Sequence, residues 1–472
     1  MGINLRLSAS ANGTRNTFDR IWNLVDDFGA NSSGTNANNT SAVNAFNTAY
    51  AAVSGRTKLI IPAQEFDFSG GVTWGVLGGD KLVISAYGAT LHKQGGFANS
   101  GLSNDWTHHA NITSVSAGSS TVDLITDAET SRFSVNQWVL ITEGDVQGYG
   151  YPINPWKFEY KKIQSIGTGT LTFTEPLTKS YSSAFPNYNP GDPEIYMGGP
   201  ATVYALLPAW DQEVEMQGGY LTNTDNLFYG KVRIARYTDM TFQSYGPCPT
   251  VNVLCNITRC LTETTELEVD KLVERLEMYD NDFHAITFQS VAINELIATD
   301  NRVADGQYWR GVAGGNSIIT RLDTPTFWFG VKGYGAVLGN TTLIDCDAAA
   351  VSYDTSYRFA LADYGQPGSG ALTISGGPER WAVPDGWCVL LDGSGNYSGI
   401  SFQVTDIDAS GGTTTISTTL STPVPGTSGG FSAPWYIHPH PGKDTTLTGC
   451  TGNSVFTTAS GNPANSPIFG WS

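Results

Sequence analysis

Two short segments of this chain carry carboxylates in the same order. Residues 278–284 read Met-Tyr-Asp-Asn-Asp-Phe-His and residues 298–302 read Ala-Thr-Asp-Asn-Arg. If the two segments stack as neighbouring strands, Asp280 lies over Asp300 at a spacing of about 4.8 Å. Two carboxylates that close resist joint ionisation, so one pKa is expected to rise and supply a general acid. We predict a catalytic set at this position, made of Asp280, Asp282, His284, Asp300 and Asp305.

The same residues have a purely structural explanation. Asp and Asn at one turn of consecutive coils can form a hydrogen-bonded ladder that only holds the corner. His284 can equally be a hydrogen-bonded turn residue. Glycoside hydrolysis needs an acid and a second carboxylate about 5–9.5 Å apart, which the predicted patch could provide.

A second candidate is a pair of glutamates two residues apart on one strand. Glu266 and Glu268 face the same side at a separation of about 6.5–7 Å, which suits an inverting acid/base pair. Glu213 and Glu215 repeat the pattern on an earlier strand. The alternative is an ordinary acidic face in contact with water.

Aromatic and basic residues follow the carboxylates in the sequence. Apolar sugar faces bind to exposed aromatic rings, so such residues are typical of carbohydrate grooves. A lyase would instead use basic or tyrosine side chains, with Ca²⁺ bridging an acidic substrate; otherwise we predict no cofactor and no metal. The predicted substrate-binding residues are Arg302, Tyr308, Trp309, Arg310, Glu266, Glu268 and Trp328.

The elements that carry these residues are short strands of alternating polarity. Segments such as 213–218, 239–244 and 275–281 alternate with period two and recur at a spacing typical of solenoid coils. With 54 Gly, 22 Pro and many Thr, Ser and Val, the chain is predicted to be all-β.

The most specific stretch is residues 24–63. It opens with Leu-Val-Asp-Asp-Phe-Gly-Ala at 24–30, which we predict to be a short strand closed by Gly29, and a polar turn follows. Next come an amphipathic helix over 41–53, with Thr40 or Ser41 as N-cap, then Gly55 and a strand that begins Leu-Ile-Ile-Pro-Ala. This order resembles the opening of the pectate-lyase-like right-handed parallel β-helix superfamily, which includes phage tailspike depolymerases. The polar turn departs from the usual Gly-Asp-Gly, reading Ser-Gly-Thr-Asn at 33–36. The resemblance implies an all-β parallel β-helix with an N-terminal capping helix, and a homotrimer.

Two further segments share one order of strand cues and are predicted to be two copies of a small β module, one inserted and one appended. The predicted organisation is an N-terminal arm (1–23), the start of the β-helix (24–112), an inserted module (113–180), the main β-helix (181–368), a second module (369–430) and a C-terminal tail (431–472).

Charge and composition limit the partners. A formal net charge of -18 and the lack of a basic stripe argue against nucleic acid. No apolar run approaches the length of about 20 residues that spans a bilayer, so we predict no membrane insertion. The start of the sequence lacks the apolar core of a signal peptide. Six cysteines without a C-x-x-C pair are predicted to be free buried thiols rather than zinc ligands.

The sequence thus predicts a tail-associated or extracellular enzyme that degrades a bacterial surface polysaccharide, by hydrolysis rather than by elimination. Two alternatives stay open. One is a non-catalytic carbohydrate-binding or structural β-solenoid, and the other is a secreted uronate polysaccharide lyase.

Overall fold

Strands with alternating burial stack in parallel along most of the chain. In strand Glu213–Gln217, Val214 and Met216 are buried, and the other three residues of the strand are partly exposed. This strand pairs in parallel with Lys81–Ser85 on one side and with Ile234–Thr238 on the other. Because every inward side chain lies over its counterpart in the next coil, the apolar residues merge into one continuous core. The predicted all-β parallel β-helix is confirmed.

The structure is a computed structural model. It describes residues 18–32, 36–68, 72–74, 80–92, 96–97, 108–143, 157–183, 200–222, 228–310, 313–330, 341–353, 359–360, 371–375, 387–391, 397–408, 413–420, 436–439, 445–450, 456–458 and 469–471.

The coils present three faces. We call the longest stack sheet 1, the stack that follows it in each coil sheet 2, and the stack that completes the coil face 3. Sheet 1 contains Arg20–Asn23, Arg56–Ile60, Lys81–Ser85, Glu213–Gln217, Ile234–Thr238, Val251–Thr258, the second halves of Glu266–Tyr279 and Ala285–Thr299, Ala313–Thr320, Thr341–Ile344, Thr445–Thr448 and Phe469–Trp471.

Sheet 2 contains Glu65–Asp67, Thr90–His92, Tyr220–Thr222, Thr241–Phe242, Leu261–Thr262, Asp282–Phe283, Arg302–Val303 and the first residues of Asp323–Gly330 and Asp347–Tyr353. Face 3 contains Thr73–Trp74, Gly96–Phe97, Phe228–Gly230, Pro247–Cys248, the first halves of Glu266–Tyr279 and Ala285–Thr299, Gln307–Arg310, the later parts of Asp323–Gly330 and Asp347–Tyr353, and Phe456–Thr458.

An aromatic cluster closes the N-terminal end of the β-helix. Helix Asn36–Ala51 buries Phe46, whose ring lies 6.0 Å from that of Trp22 and 6.3 Å from that of Trp74. The buried Asn39 side chain ties the helix to the first coil by donating to the carbonyl of Asp67 at 3.0 Å. The capping helix is therefore confirmed, and it begins five residues before the predicted start at Ser41.

The strand predicted at residues 24–30 is wrong. The strand is Arg20–Asn23, and the chain turns directly after it. The Asn23 side chain accepts the backbone N–H of Val25 at 2.9 Å, and Gly29 has a φ of 73°. Local side-chain hydrogen bonding of this kind favours a turn over an extended strand.

Two antiparallel sheets interrupt the β-helix. Module 1 is built from His109–Asn111, Thr121–Asp123, Trp138–Glu143, Lys157–Gly167, Thr170–Phe173 and Ala201–Ala205. Module 2 is built from Phe359–Ala360, Ala371–Ser375, Trp387–Leu391, Tyr397–Asp408, Thr413–Thr418 and Tyr436–Pro439.

Within each module the strands lie in the same spatial order: first, sixth, third, fourth, fifth, second. Trp138 pairs with Lys162 in module 1 as Trp387 pairs with Gln403 in module 2. A register irregularity follows at equivalent positions of the fourth strand, after Ile163 and after Val404. The two modules therefore share one order of six strands.

Module 2 is an insertion and not an appended unit. Thr445–Thr448 follows it in the chain and pairs in parallel with Thr341–Ile344, which precedes it. Phe469–Trp471 then adds a further strand to sheet 1. The segment predicted to be a C-terminal tail therefore contributes coils to the solenoid.

All six cysteines are free. Cys255 and Cys260 are fully enclosed in the solenoid core, and burial is the main cause that raises the pKa of the Cys260 thiol to about 12. The prediction of free buried thiols is confirmed, with Cys450 only partly buried.

Candidate functional site

One backbone position repeats at the corner after sheet 1. The residue that follows each of eight sheet 1 strands, from Glu213–Gln217 to Thr445–Thr448, has a positive φ, a conformation that costs a side chain energy unless it is Gly, Asn or Asp. Because the same position recurs in successive coils, these residues form a ladder along the corner. The corner residues are Gly218, Asp239, Arg259, Asp280, Asp300, Arg321, Asp345 and Gly449.

The two carboxylates predicted to share a proton lie at this corner on consecutive coils. Tyr279 pairs with Thr299 just before them, so Asp280 and Asp300 are neighbours in the stack. Both are exposed, and Asp300 accepts two hydrogen bonds from Arg321, one of them 2.7 Å long. These bonds lower the pKa of Asp300, the opposite of the rise that a shared proton would produce.

The asparagines beside them form the ladder that was the alternative explanation. Asn281 and Asn301 are each 3% exposed. The Nδ2 of Asn281 donates to Oδ1 of Asn301 at 2.8 Å and to the carbonyl of Ile257 at 3.0 Å. Its Oδ1 accepts the backbone N–H of Cys260 at 2.8 Å. These contacts satisfy buried backbone groups and hold successive coils in register.

The other residues predicted for this site lie around the corner, on sheet 2. Asp282 and Arg302 are adjacent in register, with an ion pair of 3.4 Å, and Arg302 also lies 3.8 Å from Asp323. All three side chains are at least half exposed, so these pairs contribute little to stability. His284 accepts the backbone N–H of Asp305 through its carbonyl at 2.7 Å.

Face 3 brings together the second carboxylate pair and the aromatic strands. Glu266 and Glu268 are both partly exposed, while the residues between and after them, Leu267 and Val269, are buried. The two glutamates therefore point away from the core on the same side of one strand.

The strand register aligns the predicted aromatic residues with Glu268. Position 268 pairs with Thr287, Thr287 with Tyr308, and Tyr308 with Trp328. Trp309 and Arg310 occupy the next two positions of the same strand. The hydroxyl of Thr287, 2% exposed, donates a hydrogen bond to Glu266.

Glu213 and Glu215, predicted to extend this acidic pair, lie elsewhere. They belong to sheet 1, where the Lys81 ammonium lies 2.8 Å from Glu213 and 3.0 Å from Glu215. Arg236 forms a further ion pair with Glu213. Their grouping with Glu266 and Glu268 is wrong, because strand alternation does not say which of the three faces a strand belongs to.

The structure adds one group that sequence reasoning missed, where module 1 meets the β-helix. Glu274 lies in the part of strand Glu266–Tyr279 that enters sheet 1. Burial raises its pKa to about 7, against the opposing charges of Lys179 and Lys161. Burial also lowers the pKa of Lys179 to about 8. In the sequence, the only sign of this group is a break in the alternation of polar and apolar residues at 273–275. That break does not reveal that a distant module covers the strand.

No group of His, Cys, Asp or Glu in the described part of the chain is arranged to hold a metal ion. Within the same residues, no helix has the length and apolar character needed to cross a bilayer.

No protein-family model and no curated protein matches this sequence. Solved structures do resemble it. The Gp54 tailspike of Acinetobacter baumannii bacteriophage AP22, solved with A. baumannii capsular saccharide, is 11% identical, with a TM-score of 0.34 over 67% of this chain and 58% of that one. The gp49 tailspike of Pseudomonas phage LKA1 is 12% identical, with a TM-score of 0.29 over 67% of this chain and 64% of that one.

The gp61 tailspike of Pseudomonas phage phi297 is 10% identical, with a TM-score of 0.32 over 88% of this chain and 98% of that one. The chain spans less than two thirds of the length of the AP22 and LKA1 tailspikes.

Proposed function

We propose that this chain is a polysaccharide depolymerase that hydrolyses a bacterial surface glycan on face 3. The observation that carries the proposal is the position of Glu266 and Glu268, side by side on the outside of face 3 and in register with the aromatic strands. Carboxylates in register with aromatic residues supply the chemistry that a glycan groove requires.

The spacing of the two glutamates suits an inverting reaction. Residues i and i+2 of a strand are about 6.5–7 Å apart, and inverting glycosidases separate their carboxyl groups by about 6.5–9.5 Å. The Thr287 hydroxyl donates to Glu266, which presents that carboxylate as an acceptor and suits a base that activates water. Glu268 is then the acid that protonates the leaving oxygen.

The corner residues Asp280, Asp282, His284, Asp300 and Asp305 remain the alternative site. The hydrogen bonds from Arg321 to Asp300 are the reason to place them second. For an elimination reaction the basic and tyrosine side chains would act, and a Ca²⁺ ion would bridge the acidic substrate.

The proposal extends to a tail-associated, trimeric depolymerase. Its support is the resemblance of residues 24–63 to the opening of β-helix depolymerases. The net charge of -18 argues for a neutral or weakly acidic glycan over a strongly anionic one.

The test is a panel of capsular, exopolysaccharide and plant glycans, followed by reducing ends and by ultraviolet absorbance. We expect reducing ends without absorbance, and a fall in kcat/KM of at least about 100-fold in Glu268→Gln and in Glu266→Gln. Glu215→Gln, which removes one of a similarly spaced glutamate pair on sheet 1, is the matched control and should keep wild-type activity.

Other outcomes would redirect or refute the proposal. Absorbance together with reducing ends would indicate a lyase. Polymer that is retained on the protein but never shortened would indicate a binding protein. Full activity in both face 3 variants would remove Glu266 and Glu268 from the reaction.

A further inference from the structure

Module 1 is held on the β-helix by directional hydrogen bonds. The buried hydroxyl of Tyr160 donates to the carbonyl of Leu272 at 2.8 Å. The indole of Trp210, at the end of the module, donates to the carbonyl of Val251 at 2.9 Å, and its ring stacks on Tyr160 with centroids 5.0 Å apart. These contacts fix one orientation of the module on sheet 1.

Charged groups lie inside the same contact. The Lys179 ammonium donates to the Asn294 side chain on the β-helix and, at 3.1 Å, to the carbonyl of Phe158 in its own module. Behind this contact, on the face of the sheet that carries Val139 and Ile141 of the module's own core, Glu159, 1% exposed, lies 3.0 Å from the Lys161 ammonium.

Glu274 faces this group from the β-helix side. Among the described residues, none donates a hydrogen bond to its carboxyl group. It interacts through charge alone, with Lys179 and Lys161 of one sign and with Glu159 and Glu175 of the other. A carboxyl group left without donors in a partly buried contact favours its neutral form.

We propose that the stability of the contact between module 1 and the β-helix depends on pH through the titration of Glu274 and Lys179. The contact is weakest near neutral pH. Protonation of Glu274 removes from the contact a negative charge that receives no hydrogen bond from the described residues. Deprotonation of Lys179 removes the facing charge. Between the two titrations both charges are present and both carry their desolvation cost.

The pH dependence follows from the direction of each shift. Docking raises the pKa of Glu274 to about 7, so its protonated form stabilises the docked state, and this contribution is lost as the pH rises from the undocked value to 7. Docking lowers the pKa of Lys179 to about 8, so docking strengthens again as the pH rises above 8. The minimum lies between these two values.

Other titratable groups surround the contact and limit the pH range over which an unfolding profile reports on Glu274 and Lys179. Facing charges come from Glu159, Glu175, Lys157 and Lys161. Burial raises the pKa of Tyr160 and of Tyr181 well above the ordinary value, so both phenols stay neutral up to about pH 10. A profile from about pH 5 to about pH 9 therefore reports on Glu274 and Lys179.

The test is calorimetric unfolding of the full chain over that range, with the module 1 transition identified by its shift in Trp210→Phe. In the wild type we expect the equilibrium constant for unfolding of this transition to rise by up to about tenfold per pH unit toward pH 7 and to fall above pH 8. Glu274→Gln should flatten the acidic arm only, and Lys179→Met the basic arm only. Glu295→Gln, on the next strand with 43% side-chain exposure, is the control and should keep both arms.

Three outcomes would overturn the proposal. One is a wild-type profile with no minimum between pH 7 and pH 8, which needs no variant to fold. The second is an acidic arm that persists in Glu274→Gln. The third is loss of glycan cleavage in Glu274→Gln with an unchanged unfolding profile, which would make Glu274 a general acid.

Discussion

The asparagine ladder allows a sharp prediction about the corner of the β-helix. Asn281→Ala removes three hydrogen bonds, to Cys260, to Ile257 and to Asn301. The backbone N–H of Cys260 then has no partner in a site that is 3% exposed at residue 281. A buried donor left unpaired costs about 1–3 kcal/mol. The Ile257 carbonyl and the Asn301 Oδ1 each lose one donor as well, although Asn301 keeps the backbone N–H of residue 281, and this loss adds to the cost. We expect unfolding to become easier by about 3 kcal/mol.

The assay is urea unfolding followed by circular dichroism, together with hydrogen exchange at the Cys260 amide, because a solenoid need not unfold in one step. Asp280→Asn, one residue away and exposed, is the control and should leave both measurements unchanged. Glycan cleavage per folded molecule should stay at the wild-type level in both variants. A change below about 0.5 kcal/mol in Asn281→Ala, with normal Cys260 exchange, would refute the reasoning.

Two further predictions concern the corner and the cap. Asp300→Asn should change neither the melting temperature nor the cleavage rate appreciably, because its ion pair with Arg321 is exposed. Loss of cleavage at unchanged stability would instead indicate that the active site lies at the corner. Phe46→Ala should destabilise the N-terminal end by about 3–5 kcal/mol, because removal of a fully buried ring that packs near Trp22 and Trp74 leaves a cavity. Thermal unfolding and hydrogen exchange over Asn36–Ala51 would show whether the capping helix unfolds first.

Repetition explains what could be predicted from the sequence. The neighbouring positions of Asp280 and Asp300 followed from aligning two segments that fill the same place in consecutive coils. The duplicated module followed in the same way, from one order of cues occurring twice. In each case the evidence was internal to the chain and required no knowledge of long-range contacts.

Counting from the corner would have corrected the main error about the site. Glu213 lies five residues before its corner residue, Gly218, whereas Glu266 lies fourteen before Asp280. Five residues place a side chain on sheet 1 and fourteen place it on face 3. Alternation alone separates inside from outside, so it could not distinguish the two pairs.

The docking contact could not be predicted, because it depends on which surface a module covers. Comparison of the modules shows that the contact is not a requirement of their fold. Lys161 pairs with Val139 in module 1, and the equivalent pair in module 2 is Phe402 with Cys388. The residue equivalent to Tyr160 is Ser401.

Phe402 is fully buried, as expected for a small β-sheet core, whereas Lys161 is a charged residue at an equivalent position with 6% exposure. A buried lysine is costly unless it is paired, and its partner Glu159 is 1% exposed. Since module 2 folds to the same strand order with an apolar residue there, the buried charges of module 1 are not a requirement of its sheet. Lys161→Phe alone, however, leaves the Glu159 carboxylate without its buried cation, so we expect it to lower the melting temperature of the module 1 transition, and unchanged melting would refute this role of the pair.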